Sequence, residues 1–295
     1  MRDRVVGCLL AGALGDAWGR PREGRAGPVE FEIPRHPALS DDTQLTVATC
    51  ESIIEAGGVE PENLAARFVG WFRTGRIRGM GSSTLKAMRD LAAGTHWALA
   101  GARGEFAAGN GAAMRIAPLA FVLDPTGAKD RVRIRDVCRI THHNDEAYVG
   151  ALAVMLAIRA VINGTYFERG SLLASVVDEL PDSRVRDPIL ELLPLPLPEA
   201  ELAHRFNRTG HVVDSVPLAL YCAQGMNRAG IDVMLARTIS LGGDTDTIAS
   251  IAGQIAGTVV GLEGVPQPLL KGVEGIHEVE AIAYAFADFV DSRPG

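Results

Sequence analysis

The sequence predicts an all-α protein folded as a single domain over residues 1–295. Three observations carry that expectation. Apolar residues recur at three-to-four spacing, as in Leu64, Phe68 and Phe72, and such segments are separated by Gly- and Pro-rich loops. No segment alternates strictly between apolar and polar residues, and no Asn-Gly turn sits between β-branched runs. No low-complexity linker, internal repeat or shift of composition divides the chain.

Taken in order, residues 3–15 suit a helix of small residues, in which Gly12 and Gly15 let a neighbour approach closely. Gly19 to Ser40 is rich in Pro, Gly and charge and reads as an ordered loop beside a site. Asp42 to Glu55 forms a helix stopped by Gly57-Gly58, and Pro61 opens the next one. Ser82 or Ser83 to Leu91 is a helix ended by Gly94, and Gly101 to Gly111 is a loop. A helix from Ala112 to Leu123 stops before Pro125. Arg133–Thr141 and Asp145–Asn163 form a pair joined through His142-His143-Asn144. Ser171 to Leu180 is helical, and Pro181, Pro188, Pro194, Pro196 and Pro198 break the next stretch. Asp214–Asn227, Asp232–Ile239, Asp244–Leu262 and His277–Val290 complete the helices.

Hydrophobic residues make up 47% of the chain and charged residues 22%, as in a globular protein with a large core. The net charge of −7 argues against long-range attraction to nucleic acid or to an anionic membrane. Cys8, Cys50, Cys138 and Cys222 are far apart and lie in apolar runs, which predicts buried free thiols in a reducing, cytoplasmic setting. The apolar run Val5–Leu14 is short, is broken by glycines and leads to Gly15-Asp16 rather than to a cleavage site. No stretch is long and apolar enough for a membrane span, and nothing in the pattern specifies an oligomeric state.

The chemistry concentrates at two helix mouths. Ser40-Asp41-Asp42-Thr43 opens one apolar run, and Gly242-Gly243-Asp244-Thr245-Asp246-Thr247 opens another some two hundred residues later. If folding joins them, Asp41, Asp42, Asp244 and Asp246 crowd four carboxylates that repel one another unless protonated or neutralised by a cation. Ser40 and Thr247 add hydroxyl oxygens, and an all-oxygen set favours Mg²⁺, Mn²⁺ or Ca²⁺ over zinc. This many acids can hold two ions about 3.5–4 Å apart on a shared aspartate. The plainer alternative is a pair of N-caps with acidic first turns.

Three weaker signals accompany these. Asp16 ends a small-residue helix, where the dipole disfavours an acid, and Glu23 lies in the loop beyond, within reach of a substrate. Gly109-Asn110-Gly111 before a helix offers backbone N–H groups to a phosphate, although Asn110 also suits a left-handed turn for structural reasons. Arg115 lies one turn into that helix, placed to brace a carboxylate, and His142 sits at a helix junction, where it either binds a sugar or phosphate or caps a helix.

In this order, Gly-Ala-Leu-Gly-Asp at 12–16 with Glu23, Ser-Asp-Asp-Thr at 40–43, Gly-Asn-Gly-Ala-Ala-Met-Arg at 109–115, Thr-His at 141–142 and Gly-Gly-Asp-Thr-Asp-Thr at 242–247 resemble the ADP-ribosylglycohydrolases. The resemblance spans residues 7 to about 262. It implies an orthogonal helical bundle with a cleft holding two Mg²⁺ or Mn²⁺ ions, and hydrolysis of the glycosidic bond between ADP-ribose and an arginine or serine side chain. An ADP-ribosylated protein or other ADP-ribose conjugate is the implied partner. It further implies Ser40, Asp41, Asp42, Asp244, Asp246 and Thr247 as metal ligands, and Glu23, Asp41 and Asp246 as the catalytic acids. Gly109, Asn110, Gly111 and His142 would contact the ligand. Two departures are visible: Ser40 stands where the family usually has threonine, and Ala107-Ala108 stand where some relatives carry polar or aromatic residues. A non-catalytic ADP-ribose-binding or structural member of the same fold, or a dinuclear-metal phosphohydrolase cutting the pyrophosphate, would use the same residues.

Overall fold

The computed structural model describes residues 1–193, 197–225 and 230–293. Pro194, Pro196 and the last residues of the helix expected to reach Asn227 lie outside the described residues. The chain runs α1 (Arg2–Gly19), α2 (Asp41–Ala56), α3 (Pro61–Arg73), α4 (Ser82–Ala92), β1 (Ala102–Arg103), α5 (Ala128–Arg139), β2 (His142–His143), α6 (Asp145–Ile162) and α7 (Thr165–Arg169). It continues through α8 (Leu172–Val177), α9 (Arg186–Leu192), α10 (Glu199–Arg205), α11 (Val212–Gln224), α12 (Ile231–Ser240), α13 (Thr245–Val260), α14 (Gln267–Leu270) and α15 (Ile276–Ser292). The expected all-helical architecture is what forms, apart from the two-residue parallel pair β1–β2. One apolar cluster draws residues from Val5 through Ala287.

The axis of the bundle is α1 against α13, and glycine sets their approach. A Cβ on Gly15 would stand 2.2 Å from the Ala249 carbonyl oxygen, and one on Gly257 would stand 2.1 Å from that of Gly7. Gly253 meets the Ala11 carbonyl in the same way, at 2.3 Å. These pairs run in opposite directions along the two helices, so the helices are antiparallel. The end of α1 therefore meets the start of α13: Thr245 Oγ1 donates to the Gly19 carbonyl at 2.8 Å. Helix α2 is seated by the same corner, through Asp16.

Several elements differ from the sequence reading. Helix α1 continues to Gly19, so Asp16 lies inside it rather than at an exit. Residues 112–123 form two 3₁₀ turns, Ala113–Arg115 and Ala117–Phe121, instead of one α-helix. Pro118 lacks the N–H an α-helix would use and disfavours α geometry at Ala117. Helix α5 begins at Ala128, before the apolar periodicity starts, because its first turn faces outward. Helix α8 is shorter than expected, with Ser171 as its N-cap accepting from Ala174 N at 3.2 Å.

Cys8, Cys50 and Cys138 are buried thiols and Cys222 is a half-buried one, and none of the four forms a disulfide among the described residues. No helix of the described residues is long and apolar enough to cross a membrane.

Two glycine substitutions separate packing from propensity. Gly257→Ala drives a methyl into the Gly7 backbone and should cost about 1–3 kcal/mol in urea unfolding. Gly70→Ala, in the interior of α3 with open space around its Cα, should raise stability by about 0.5–1 kcal/mol in the same measurement.

Candidate metal centre and its cleft

Asp16 is the first fixed point. Its buried carboxylate accepts from Ser40 N at 3.0 Å, Ser40 Oγ at 2.7 Å, Thr43 N at 3.2 Å and Thr43 Oγ1 at 2.5 Å. An acid from the end of α1 thus satisfies the free N–H groups at the start of α2, where the helix dipole favours negative charge. Ser40 is the N-cap of α2, accepting from Asp42 N at 3.3 Å, and its hydroxyl also lies 3.1 Å from Asp42 Oδ2.

The two acidic mouths do meet. Thr247 Oγ1, in the first turn of α13, donates to Asp42 Oδ2 at 3.3 Å. One oxygen each from Asp16, Asp42 and Asp246 lies within 4.8 Å of the others, and so do oxygens of Glu23, Asp244 and Asp246. Asp246 belongs to both triplets. Asp41 belongs to neither but lies on the wall of the same cleft. Ser40 faces inward, toward Asp16 and Asp42.

Burial and mutual repulsion raise the affinity of this cluster for protons. Burial, then Asp16, pushes Asp41 up to about 7. Asp42 is raised well above the ordinary range by burial and then by Asp246, and Asp246 by burial and then by Asp244. Glu23 is raised by burial and by Asp244. Asp42 Oδ1 is buried without a hydrogen-bond partner among the described residues. A carboxylate oxygen orphaned among acids that resist ionising together is what an oxygen-seeking divalent cation complements, so the residues present fit such an ion.

Above the acids opens a cleft of about 770 Å³. Gly109 and Gly111 form one wall, and they are glycines because of His142: Cβ atoms there would stand 3.1 Å from its Nε2 and 2.8 Å from its Cε1. The β1–β2 pairing brings His142 to this position. The reason for Asn110 differs from the sequence reading. Its N–H donates to the Gly210 carbonyl at 2.9 Å, and its side chain donates to Asp244 Oδ2 at 2.7 Å and Ser215 Oγ at 3.1 Å. The next element, Ala113–Arg115, is a 3₁₀ turn without the aligned dipoles of a long helix. Asn110 thus holds an acid of the cluster, and its N–H is already spent. Contrary to expectation, Arg115 contacts no carboxylate among the described residues; it donates to the Gly111 and Val137 carbonyls and to Thr141 Oγ1.

Sequence reasoning passed over three contributors. Arg208 has φ 52°, its carbonyl accepts from Asp244 N at 2.7 Å, and its guanidinium donates to the Leu241 carbonyl at 2.8 Å. Gly243 packs directly on that residue, since a Cβ would stand 2.1 Å from Arg208 O, and Gly27 sits against the Leu241 carbonyl. Phe106, 96% exposed, stands on the rim of the cleft. Ser82 to Thr84, at the start of α4, line the cleft as well. The Asn207-Arg208-Thr209-Gly210 run is a turn-forming composition, which was the available signal.

The family model of the ADP-ribosylglycohydrolases matches residues 1–294. The chain is 26% identical to ADP-ribosylhydrolase ARH3 of Danio rerio, over 98% of this chain and 91% of that one. It is 26% identical to ADP-ribosylarginine hydrolase Tri1 of Pseudomonas putida, over 97% and 78% respectively. A solved structure described as an ADP-ribosylglycohydrolase-related protein complex superposes with a TM-score of 0.77 at 25% identity, covering 98% of each chain.

Groups whose folded pKa is raised stabilise the fold fully below their unfolded values and lose that contribution as pH rises through the folded ones, for Asp41 about 7. A divalent ion removes the repulsion, so it should stabilise most where the acids are ionised. Thermal unfolding with chelator and with Mg²⁺ or Mn²⁺ should therefore show a larger gap at about pH 8 than at about pH 5. A gap that ignores pH would remove these acids as the ion's ligands.

Proposed function

The chain belongs to the ADP-ribosylglycohydrolase family, and we propose that it is a metal-dependent hydrolase releasing ADP-ribose from an arginine or serine side chain of a modified protein. The observation that carries this reading is the pair of carboxylate triplets sharing Asp246 at the floor of the cleft. The names borne by ARH3 and Tri1, an ADP-ribosylhydrolase and an ADP-ribosylarginine hydrolase, support the same chemistry.

Ser40, Asp41, Asp42, Asp244, Asp246 and Thr247 would hold two Mg²⁺ or Mn²⁺ ions, whose Lewis acidity would serve to polarise ribose hydroxyls and activate water. The remaining work falls to the chain. Asp246 ties the two triplets together, and Asn110 and the Arg208 carbonyl keep Asp244 in register. Glu23 is the most solvent-exposed acid of its triplet, placing it to carry a proton between the cleft and bulk water. Asp41, with a proton affinity near neutrality, is the second candidate for that role. Gly109 and Gly111 leave room for the His142 ring, which lines the cleft beside them and would contact the ligand there.

A panel of defined peptides, ADP-ribosylated on arginine or on serine, assayed with Mg²⁺ and with Mn²⁺, tests the reading. Intact ADP-ribose is the expected product. Release of AMP would point to a phosphohydrolase, and tight binding without release to a binding module. Asp246→Ala should lower turnover by more than roughly 100-fold, beyond what loss of an outer-sphere partner costs, and should weaken metal binding in calorimetry. Glu23→Gln should lower kcat and should weaken metal binding less than Asp246→Ala does, since Glu23 belongs to one triplet and Asp246 to both.

A further inference from the structure

Arg115 is a guanidinium shut inside the protein, 1% exposed, and it makes no ion pair among the described residues. Burying a charge this way is costly, which raises the question of what it organises. Its Nη2 donates to Thr141 Oγ1 at 2.8 Å, and that oxygen lies 2.7 Å from His142 Nδ1. We propose that Arg115 and Thr141 lock His142 in the tautomer protonated at Nε2, making it an obligatory hydrogen-bond donor to an oxygen of the ligand, with Arg115 and Thr141 as positioning residues of the cleft.

The direction of the chain of hydrogen bonds comes from counting hydrogens. Arginine has only donors, so Thr141 Oγ1 accepts from Arg115. Thr141 is fully buried, and His142 Nδ1 is the one acceptor its hydroxyl reaches among the described residues. Were Nδ1 protonated, that oxygen would face two donors and its own hydrogen would be stranded in the interior. Nδ1 therefore accepts, and the proton sits on Nε2. Burial and the guanidinium together hold His142 down at about 3, so the ring stays neutral and does not donate from both nitrogens. Nothing among the described residues accepts from Nε2, and His142 lines the cleft with Nε2 beside Gly109, where no side chain stands against it.

A neutral ring of fixed tautomer selects its ligand atom. It rewards an oxygen with a free lone pair, either of the pyrophosphate or of a ribose hydroxyl, and gives nothing to an ammonium, which has only hydrogens to offer. In the hydrolysis proposed above, on which this role rests, His142 would bind and orient without moving a proton.

Nitrogen-15 NMR of the full-length protein reads the tautomer directly, the His142 signals being assigned by their loss in His142→Gln. The expected result is a protonated Nε2 and an unprotonated Nδ1, unchanged between about pH 5 and about pH 8. Thr141→Val should give mixed tautomers and about tenfold weaker ADP-ribose binding in calorimetry, and Thr141→Ser should restore both. Equal weakening toward ADP, which lacks the terminal ribose, identifies an oxygen of the ADP moiety as the partner; weakening confined to ADP-ribose identifies a hydroxyl of the terminal ribose. Arg115 variants risk misfolding, so the Thr141 pair carries the test. A wild-type ring protonated at Nδ1 or at both nitrogens overturns the proposal, as does a Thr141→Val protein with unaltered shifts. Failure of the wild type to bind ADP-ribose would overturn the function above, while the nitrogen shifts would still decide the tautomer.

Discussion

Backbone-to-backbone contact between α1 and α13 is the constraint on which the site depends. Glycines on both helices remove the side chains that would hold them apart, and the antiparallel register then brings the last turn of α1 to the first turn of α13. Asp16 rides on that last turn and captures the start of α2 through four donor groups. Two acid-bearing helix mouths, about two hundred residues apart in sequence, are thereby fixed around one point. Neither contact does chemistry; together they decide where the acids lie.

The cluster they create is electrostatically unfavourable by itself. Five carboxyl groups with raised proton affinity, an orphaned Asp42 oxygen and, among the described residues, only hydroxyls and amides as donors form a floor that the fold holds against its own repulsion. Binding sites commonly carry such local cost, because surrounding packing over-determines them. Here that packing is the apolar cluster running from Val5 to Ala287.

Much of this was legible in the sequence, and the remainder has identifiable causes. The paired aspartates at 41–42 and at 244 and 246 stood out because acids at the start of apolar runs serve the core poorly. The helix from Pro61 was readable from its spacing. Asp16 was readable only as an acid at an unfavourable place; what it does depends on α2, which no local pattern reveals. The apolar run 112–123 does not distinguish 3₁₀ from α geometry, and Pro118 decided it. Arg208 acts on Asp244 through a carbonyl, which every residue has, so no side-chain pattern could announce it. Asn110 stood out through its Gly-Asn-Gly setting, but its bond to Asp244 joins residues far apart in the chain, which no local pattern announces.

The cleft is asymmetric in how much variation it tolerates. On one side, Gly27 stacks on the Leu241 backbone, Gly242 on Gly27 and Arg25, and Gly243 on Arg208, leaving no side-chain freedom to absorb a change. On the other, Ser82, Ser83 and the outward-facing Phe106 border the same opening, and the two serines start a helix with room around them. Evolvability is therefore confined to one lip: a library randomised at 82, 83 and 106 would explore new leaving groups without disturbing the acids, whereas one randomised at 242 and 243 would return mostly misfolded protein.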